Sequence, residues 1–497
     1  MEILSNLISG FQITFEPINL LSCFLGVVIG TLIGVLPGIG PTGTVALLLP
    51  LTFSVSPVTA IIFLAGVYYG AMYGGSTTSI LVNIPGEAAS IVTCLDGYEM
   101  AKKGRAGPAL GISAFGSFIA GTLGLIGLML LAIPLASAAL KFGPPEYFAL
   151  MCLGLTILIF MARGSMVKSL IMATFGLGLS HIGIDTITGQ PRFTFGVPEL
   201  ADGVGLIPLA MGLFGISEVL LNVEQKVKQQ VVETHIKGLL PNAKDWKDAT
   251  PAILRGSLVG FLLGILPGAG AFISSFVSYG LEKKISKNPE LFGTGVIQGV
   301  AGPESANNAA SSSAFIPLFS LGIPSNSVIA ILLGALIIHG IRPGPSVIQH
   351  HPELFWGTVA SMYVGNLLLL ILNLPLIGIW VRILKIPYPI LFPLILLFCI
   401  IGTFSLNNSL VDVFFLILFG IIGYFFRKLE YEIAPLILAF VLGPMLETAL
   451  RQSLILSDGS FTIFFKRPIS VTCFILAIAL FSTFVLSSVR KKKGIIL

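Results

Sequence analysis

Two Pro-Gly-x-Gly tetrads interrupt long apolar runs, at Pro37-Gly38-Ile39-Gly40 and at Pro267-Gly268-Ala269-Gly270. Proline lacks an N–H and glycine tolerates positive φ, so each tetrad breaks its helix. Unwound backbone at membrane depth survives only where protein buries it or where it lines a polar cavity. The N–H groups freed at such a break, with the positive end of the helix that follows, can hold a carboxylate, and the freed carbonyls can hold a cation. Gly30/Gly34 and Gly260/Gly264 are GxxxG pairs, which by themselves read as close helix crossings. Two tetrads in equivalent places favour the ligand reading, and Pro37, Gly38, Gly40, Pro267, Gly268 and Gly270 are assigned to a substrate site.

Two polar runs lie inside apolar surroundings: Tyr73-Gly-Gly-Ser-Thr-Thr-Ser79 and Pro303-Glu-Ser-Ala-Asn-Asn-Ala-Ala-Ser-Ser-Ser313. Hydroxyls and amides can replace water around a carboxylate or a cation without placing a full charge in lipid. Ser76, Thr77, Thr78, Asn307, Asn308, Ser311 and Ser312 therefore join the candidate site, as does Asn83 of the Asn83-Ile-Pro-Gly86 motif that follows the first run; the competing reading is interhelical hydrogen bonding. Of the acids near these motifs, Glu304, Glu87 and Asp96, an intramembrane Glu304 is the candidate for a coupling H⁺ or Na⁺. Asp96, followed by Gly-Tyr-Glu and a basic cluster, reads as part of a cytoplasmic interfacial loop. Basic residues are absent from these motifs, so a cotransported cation has to help neutralise an anionic substrate.

Catalytic chemistry is missing from the list. The chain has no GxSxG, HExxH or Walker sequence and no paired acids at helical spacing. The five histidines show no metal-ligand spacing, and the five cysteines (Cys23, Cys94, Cys152, Cys399 and Cys473) read as buried thiols. The reading is not an enzyme, with no metal and no cofactor beyond the Na⁺ or H⁺ itself.

The elements that must position these residues are membrane helices. Of 497 residues, 55% are hydrophobic and 10% charged, against roughly 25% charged in soluble proteins. Twelve spans of about 20 residues use about 240 positions, and the hydrophobic share supplies about 273. A soluble enzyme, a secreted disulfide scaffold and a nucleic-acid binder are excluded. The N-terminus lacks a basic n-region and a clear cleavage site, so the first apolar stretch is expected to be retained.

Gly26–Gly40 aligns without gaps on Gly256–Gly270, an offset of 230 with eight of fifteen positions identical. A looser match follows in the same order, ending in Ile84-Pro85-Gly86 and Ile323-Pro324-Ser325. Repeated halves with Gly/Pro-interrupted segments point to a secondary transporter. The polar interval 223–251, with five lysines and four acids, reads as a linker between residues 1–222 and 252–497. No Lys or Arg precedes Lys102, and basic residues cluster at 102–105, 226–247, 283–287 and 490–493. The positive-inside rule makes the 223–251 loop and the C-terminus cytoplasmic and the N-terminus external. The second repeat is flanked by basic residues and the first is not, so the repeats are expected to be inverted. The arms 252–266 and 271–281 measure about 22 and 16 Å, too short to span, which predicts a re-entrant hairpin. The expected fold is all-α, with about 11–12 transmembrane helices plus re-entrant hairpins.

Taken together, Leu36-Pro-Gly-Ile-Gly40, the runs 73–79 and 303–310, Asn83-Ile-Pro-Gly86, Asp96–Gly107, Leu321-Gly-Ile-Pro324 and Pro343-Gly-Pro345 closely resemble the large membrane subunit (TctA) of the tripartite tricarboxylate transporters. The resemblance covers roughly residues 20–450. It implies a prokaryotic inner-membrane permease for organic carboxylates, citrate-like acids among them, driven by an ion gradient. It also implies two partners: an extracytoplasmic solute-binding protein and a small membrane subunit of about four helices. The second tetrad continues Ala271-Phe-Ile-Ser, and Ala-Ala-Ser-Ser-Ser follows Asn308 where the family often places glycines. These departures weaken the tricarboxylate label more than the family label. The alternative to a gradient-driven permease is a passive channel or exporter of organic anions.

Overall fold

The computed structural model describes residues 2–36, 40–161, 165–185, 187–225, 238–268, 270–383 and 388–492. The chain is almost wholly helical. In the first part, α1 (Glu2–Thr14) and α2 (Pro17–Val35) precede the first break, and α3 (Gly40–Leu48), α4 (Pro57–Val82), α5 (Ile91–Lys102) and α6 (Ala106–Ala139) follow it. Then come α7 (Pro144–Met161), α8 (Met166–Ser180), an antiparallel pair pairing Gly183 with Arg192, α9 (Leu206–Ala210) and α10 (Ser217–Gln225). A π-helical turn, Met211–Ile216, joins α9 to α10. The second break lies between α11 (Ala243–Ile265) and α12 (Gly270–Ile285), and is followed by α13 (Gln298–Ser313), α14 (Phe315–Leu321) and α15 (Ser327–Ile338). The remainder is α16 (Pro345–His350), α17 (Pro352–Asn373), α18 (Ile377–Ile383), α19 (Tyr388–Asn407), α20 (Leu410–Lys428), α21 (Ala434–Leu456), α22 (Ile463–Lys466) and α23 (Pro468–Lys492).

Among the described residues, eight helices are long and apolar enough to cross a membrane, and five shorter apolar helices accompany them. This is an all-α multi-pass membrane protein. The expectation that both arms around the second break are too short is corrected by α11. Asn242 and Asp245 form a capping box that starts this helix inside the polar interval. Its 23 residues extend about 34 Å, enough for a ~30 Å hydrocarbon core. By contrast, α3 has nine residues, about 14 Å.

The repeat is visible as packing. A methyl group added at Gly26, Gly30 or Gly34 of α2 would collide with the backbone carbonyl of Phe63, Val67 or Ala71 of α4. At Gly256, Gly260 and Gly264 of α11 the obstacles are the carbonyls of Gly302, Ala306 and Ala310 of α13. Each set of glycines thus brings one helix backbone against another. On α11, Leu254, Leu258 and Leu262 form the opposite, outward-facing stripe, as expected for a helix with lipid on one side and protein on the other.

The packing partners are offset by 239 (Val67 to Ala306), whereas the glycines are offset by 230 (Gly30 to Gly260). Nine extra residues (239 − 230) therefore lie between break and partner helix in the second copy. The 239 offset continues through the helix ends. Asn83 and Gly322 both terminate their helices in the left-handed region, at φ 58° and 69°, and both lead into Ile-Pro. It carries on to Glu87 and Asn326, each of which accepts a hydrogen bond at a helical N-terminus.

Candidate functional site

A cavity of about 410 Å³ lies where the two copies meet. Four helical N-termini open onto it: Gly40, Pro41 and Thr42 of α3; Gly270, Ala271 and Phe272 of α12; Asn326, Ser327 and Val328 of α15; and Glu87, Ala88 and Ala89, which enter α5 through one 3₁₀ turn. Helix N-termini present unpaired N–H groups and positive dipole ends, the backbone chemistry that holds an anion.

The local sequence explains these starts. Gly40, Gly268 and Gly270 adopt φ of 65°, 83° and 51°, which a side chain would resist. The Gly268 N–H donates to the Ser325 carbonyl at 2.8 Å, tying the second break to the segment after Ile323-Pro324. Asn326 caps α15, accepting from the Ile329 N–H at 3.0 Å, and its amide donates to the Tyr68 hydroxyl at 3.3 Å. The Thr42 and Ser327 hydroxyls meet at 3.0 Å, joining α3 of one copy to α15 of the other.

The remaining wall comes from elements outside the repeated stretches. The π-helical turn contributes Phe214, α10 contributes Glu218, and α20 contributes Arg427. Leu158 of α7, Glu432, Ala434, Pro435 and Leu438 complete it. Arg427 pairs with Glu218. Among the described lining residues Arg427 is the one cation, beside three carboxylates, Glu87, Glu218 and Glu432.

A second polar cluster is solid rather than hollow. Glu304 of α13 is fully buried, and Ser76, Thr93, Ser113 and Asn307 all donate to its carboxylate, the last two at 3.3 and 3.5 Å. Among the described residues no basic side chain pairs with it. Asn308 donates to Ser117 Oγ at 2.8 Å and to the Glu304 carbonyl at 3.0 Å. Ser311 and Ser312 donate back to the carbonyls of Asn307 and Asn308 within α13. Thr78 donates to the Val35 carbonyl at 2.7 Å, at the end of α2 before the first break.

The structure thus divides the residues singled out by sequence. Gly40, Gly268 and Gly270 line the cavity. Pro267 sits behind it, with its ring facing Gly154 of α7. Ser76, Thr77, Thr78, Glu304, Asn307, Asn308, Ser311 and Ser312 are buried in helix–helix packing and are not among the cavity-lining residues. Asn83 is exposed at the end of α4. Pro37 and Gly38 lie outside the described residues. Asp96 is corrected from loop to helix: it is buried in α5 and accepts from the N–H groups of Gly293, Gly295 and Val296 and from the Tyr279 hydroxyl.

Sequence reasoning missed Thr42, Asn326, Ser327, Glu218 and Arg427. The 239 offset was one usable signal, because it carries Ile84-Pro-Gly-Glu87 onto Ile323-Pro-Ser-Asn326. Arg427 had none: it stands at the end of an apolar run, far in sequence from both repeated motifs.

The sequence profile of the tripartite tricarboxylate transporter TctA family matches residues 20–438. The chain is 51% identical over 493 residues to an uncharacterised 52.8 kDa protein of the TAR-I ttuC' 3' region of Agrobacterium vitis, covering 99% of this chain and 98% of that one. It is 53% identical over 234 residues to an uncharacterised protein of the TAR-II ttuC' 3' region of the same organism, covering 47% of this chain and 97% of that one. No solved structure matches the chain. With both glycine breaks on one cavity and the profile matched along most of its length, the chain belongs to the tripartite tricarboxylate transporter TctA family.

Proposed function

We propose that this chain is the permease subunit of a binding-protein-dependent secondary transporter that takes up organic carboxylates, tricarboxylate or citrate-like, driven by an Na⁺ or H⁺ gradient. The observation that carries the reading is the cavity on which four helical N-termini and one guanidinium converge. Its volume, about 410 Å³, falls within the roughly 300–1,000 Å³ of small-molecule sites. Backbone N–H groups take one carboxylate, and Arg427, on exchange with Glu218, takes another as a planar fork. The lining carries three carboxylates against one cation, so a multivalent anion enters only with cations or protons, which is the physical case for symport. Glu304, the acid that the sequence offers for a coupling ion, stands behind the cavity wall with its carboxylate already accepting from Ser76, Thr93, Ser113 and Asn307, so the coupling carboxylate is sought among those that line the cavity.

The expected partners are a small membrane subunit of about four helices and an extracytoplasmic solute-binding protein. The expected location is the inner membrane, with the C-terminus and the 223–251 loop cytoplasmic and the two repeats inverted. Labelling of single cysteines at Ser54 and Ser286 from opposite sides supports inversion; labelling from the same side removes it. The function is tested by radiolabelled citrate uptake in cells carrying this chain with both partner subunits. Uptake that collapses with the sodium or proton gradient supports the reading; uptake that survives ionophores points to the passive channel.

A further inference from the structure

Glu304 and Glu87, the two acids beside the repeated motifs, differ in how they are bonded. Both oxygens of Glu304 are occupied: Oε1 accepts from Thr93, and Oε2 from Ser76, Ser113 and Asn307. Glu87 is 6% exposed and lines the cavity. Its Oε2 accepts from the Ala89 N–H, while its Oε1 is buried and without a hydrogen-bond partner. A buried, ionised oxygen with no donor is costly. This one borders the same cavity as the helix N-termini of α3, α12 and α15, where an anion is to bind.

We propose that Glu87 is the coupling residue: it binds one proton on Oε1 from the side where substrate enters and releases it with the substrate on the other side. The inference rests on the carboxylate-permease reading above. Protonation turns the bare oxygen from an acceptor that repels an anion into an O–H that donates to a substrate carboxylate. No bond other than O–H forms or breaks, and one positive charge crosses with each bound anion. Glu304, with four donors on its oxygens, serves as a fixed part of the packing behind it.

The repeat explains why one side of the cavity does this. At the position equivalent to Glu87, offset by 239, stands Asn326, an amide that is neutral at every pH and caps α15. One copy therefore presents a proton-dependent donor and the other a permanent one. The ionisable groups whose fields act with Glu87 are Tyr68 of α4, Cys94 of α5 and Glu304 of α13. On α12, which packs against the Ala88–Ser90 turn, Tyr279 donates to Asp96 and Glu282 pairs with Arg255. Across the cavity stand Glu218, Arg427 and Glu432.

The test compares wild type with Glu87→Gln in membrane vesicles carrying this chain and the small membrane subunit, with the solute-binding protein supplied and radiolabelled citrate as probe. Two quantities are read: accumulation against a gradient, and citrate–citrate counterflow between about pH 5.5 and 8, the range a perturbed carboxyl can cover. Wild-type accumulation should follow the proton gradient, and its counterflow should fall as pH rises. Glu87→Gln, a lasting mimic of the protonated acid, should lose at least tenfold in accumulation yet keep counterflow, now flat with pH. Glu87→Asp should restore accumulation with a shifted pH profile. Accumulation by Glu87→Gln at the wild-type level overturns the proposal. So does counterflow lost in a normally inserted Glu87→Gln protein, or wild-type uptake that follows sodium and ignores pH. Wild type that accumulates no carboxylate under any gradient instead overturns the permease reading on which this one rests.

Discussion

The stretch from Gly26 to Ala89 and the stretch from Gly256 to Val328 build one frame twice. Each has a glycine-faced helix, a Pro-Gly-x-Gly break, a buried partner helix (continued by α14 in the second) leading to a left-handed residue, and an Ile-Pro turn into the next N-terminus. What differs is the chemistry each frame turns toward the cavity. The first offers Pro41, Thr42 and Glu87; the second offers Ala271, Phe272 and Asn326. Backbone geometry is held in common because both copies need the same close helix contact. The side chains at the N-termini touch the cavity rather than the frame and are free to diverge, so an acid in one copy faces an amide in the other.

The largest expected effect comes from breaking the shared frame. Gly30→Leu and Gly260→Leu each force a side chain into a backbone carbonyl of the partner helix, at a cost of about 4 kcal/mol or more. Size-exclusion profiles in detergent should show loss of folded protein for both variants; a folded variant in one copy alone would show that the copies are not equivalent.

Next is the wall outside the repeat. Arg427→Ala should raise the half-saturation for citrate ten- to a hundredfold, about 1.4–2.8 kcal/mol, and Arg427→Lys should fall between it and wild type because the fork is lost and the charge kept. Wild-type half-saturation in Arg427→Ala removes the guanidinium from substrate recognition.

Asn326→Asp makes the two frames alike by putting an acid in both. Asp caps a helix as well as Asn does, so the thermal midpoint should barely move, while half-saturation rises about tenfold from the added charge, a loss of about 1.4 kcal/mol. An unchanged half-saturation would show that this N-terminus does not meet the anion. Smaller effects are expected in the packed cluster. Thr78→Val and Asn307→Ala should each lower stability by about 1 kcal/mol with half-saturation unmoved. A shifted half-saturation would return those residues to the ligand site.

The smallest effect lies far from the cavity. Asp185, beside the 183–192 pair, is held well below the usual carboxylate range by the Thr188 hydroxyl, the Ile187 N–H, Arg451 and Arg192. A depressed carboxyl contributes stability above its unfolded value, near pH 4, and that contribution fades as pH falls. The thermal midpoints of wild type and Asp185→Asn should differ at neutral pH and converge in acid.

Much of the frame was legible from sequence because it is written in local signals. Proline and glycine break helices wherever they stand, and a repeated Leu-Pro-Gly-x-Gly marks both breaks. The start of α11 was misread because a polar, charged interval looks like a loop until the Asn242–Asp245 capping box is counted. From sequence the hydroxyl runs fit either ligand contact or interhelical hydrogen bonding. In the fold Ser76 donates to Glu304 and Thr78, Ser311 and Ser312 to backbone carbonyls, a distinction that spacing along one helix does not carry.

Composition and periodicity determined by themselves that the chain is a helical membrane protein with two broken, repeated segments. These depend on transfer of side chains into lipid and on backbone preferences, both read residue by residue. Tertiary structure alone decided which polar residues meet a hollow and which meet each other. It brought Arg427 to Gly40, Gly270 and Glu87 from distant parts of the chain, because close packing of helices, not sequence separation, sets where the unfilled volume remains.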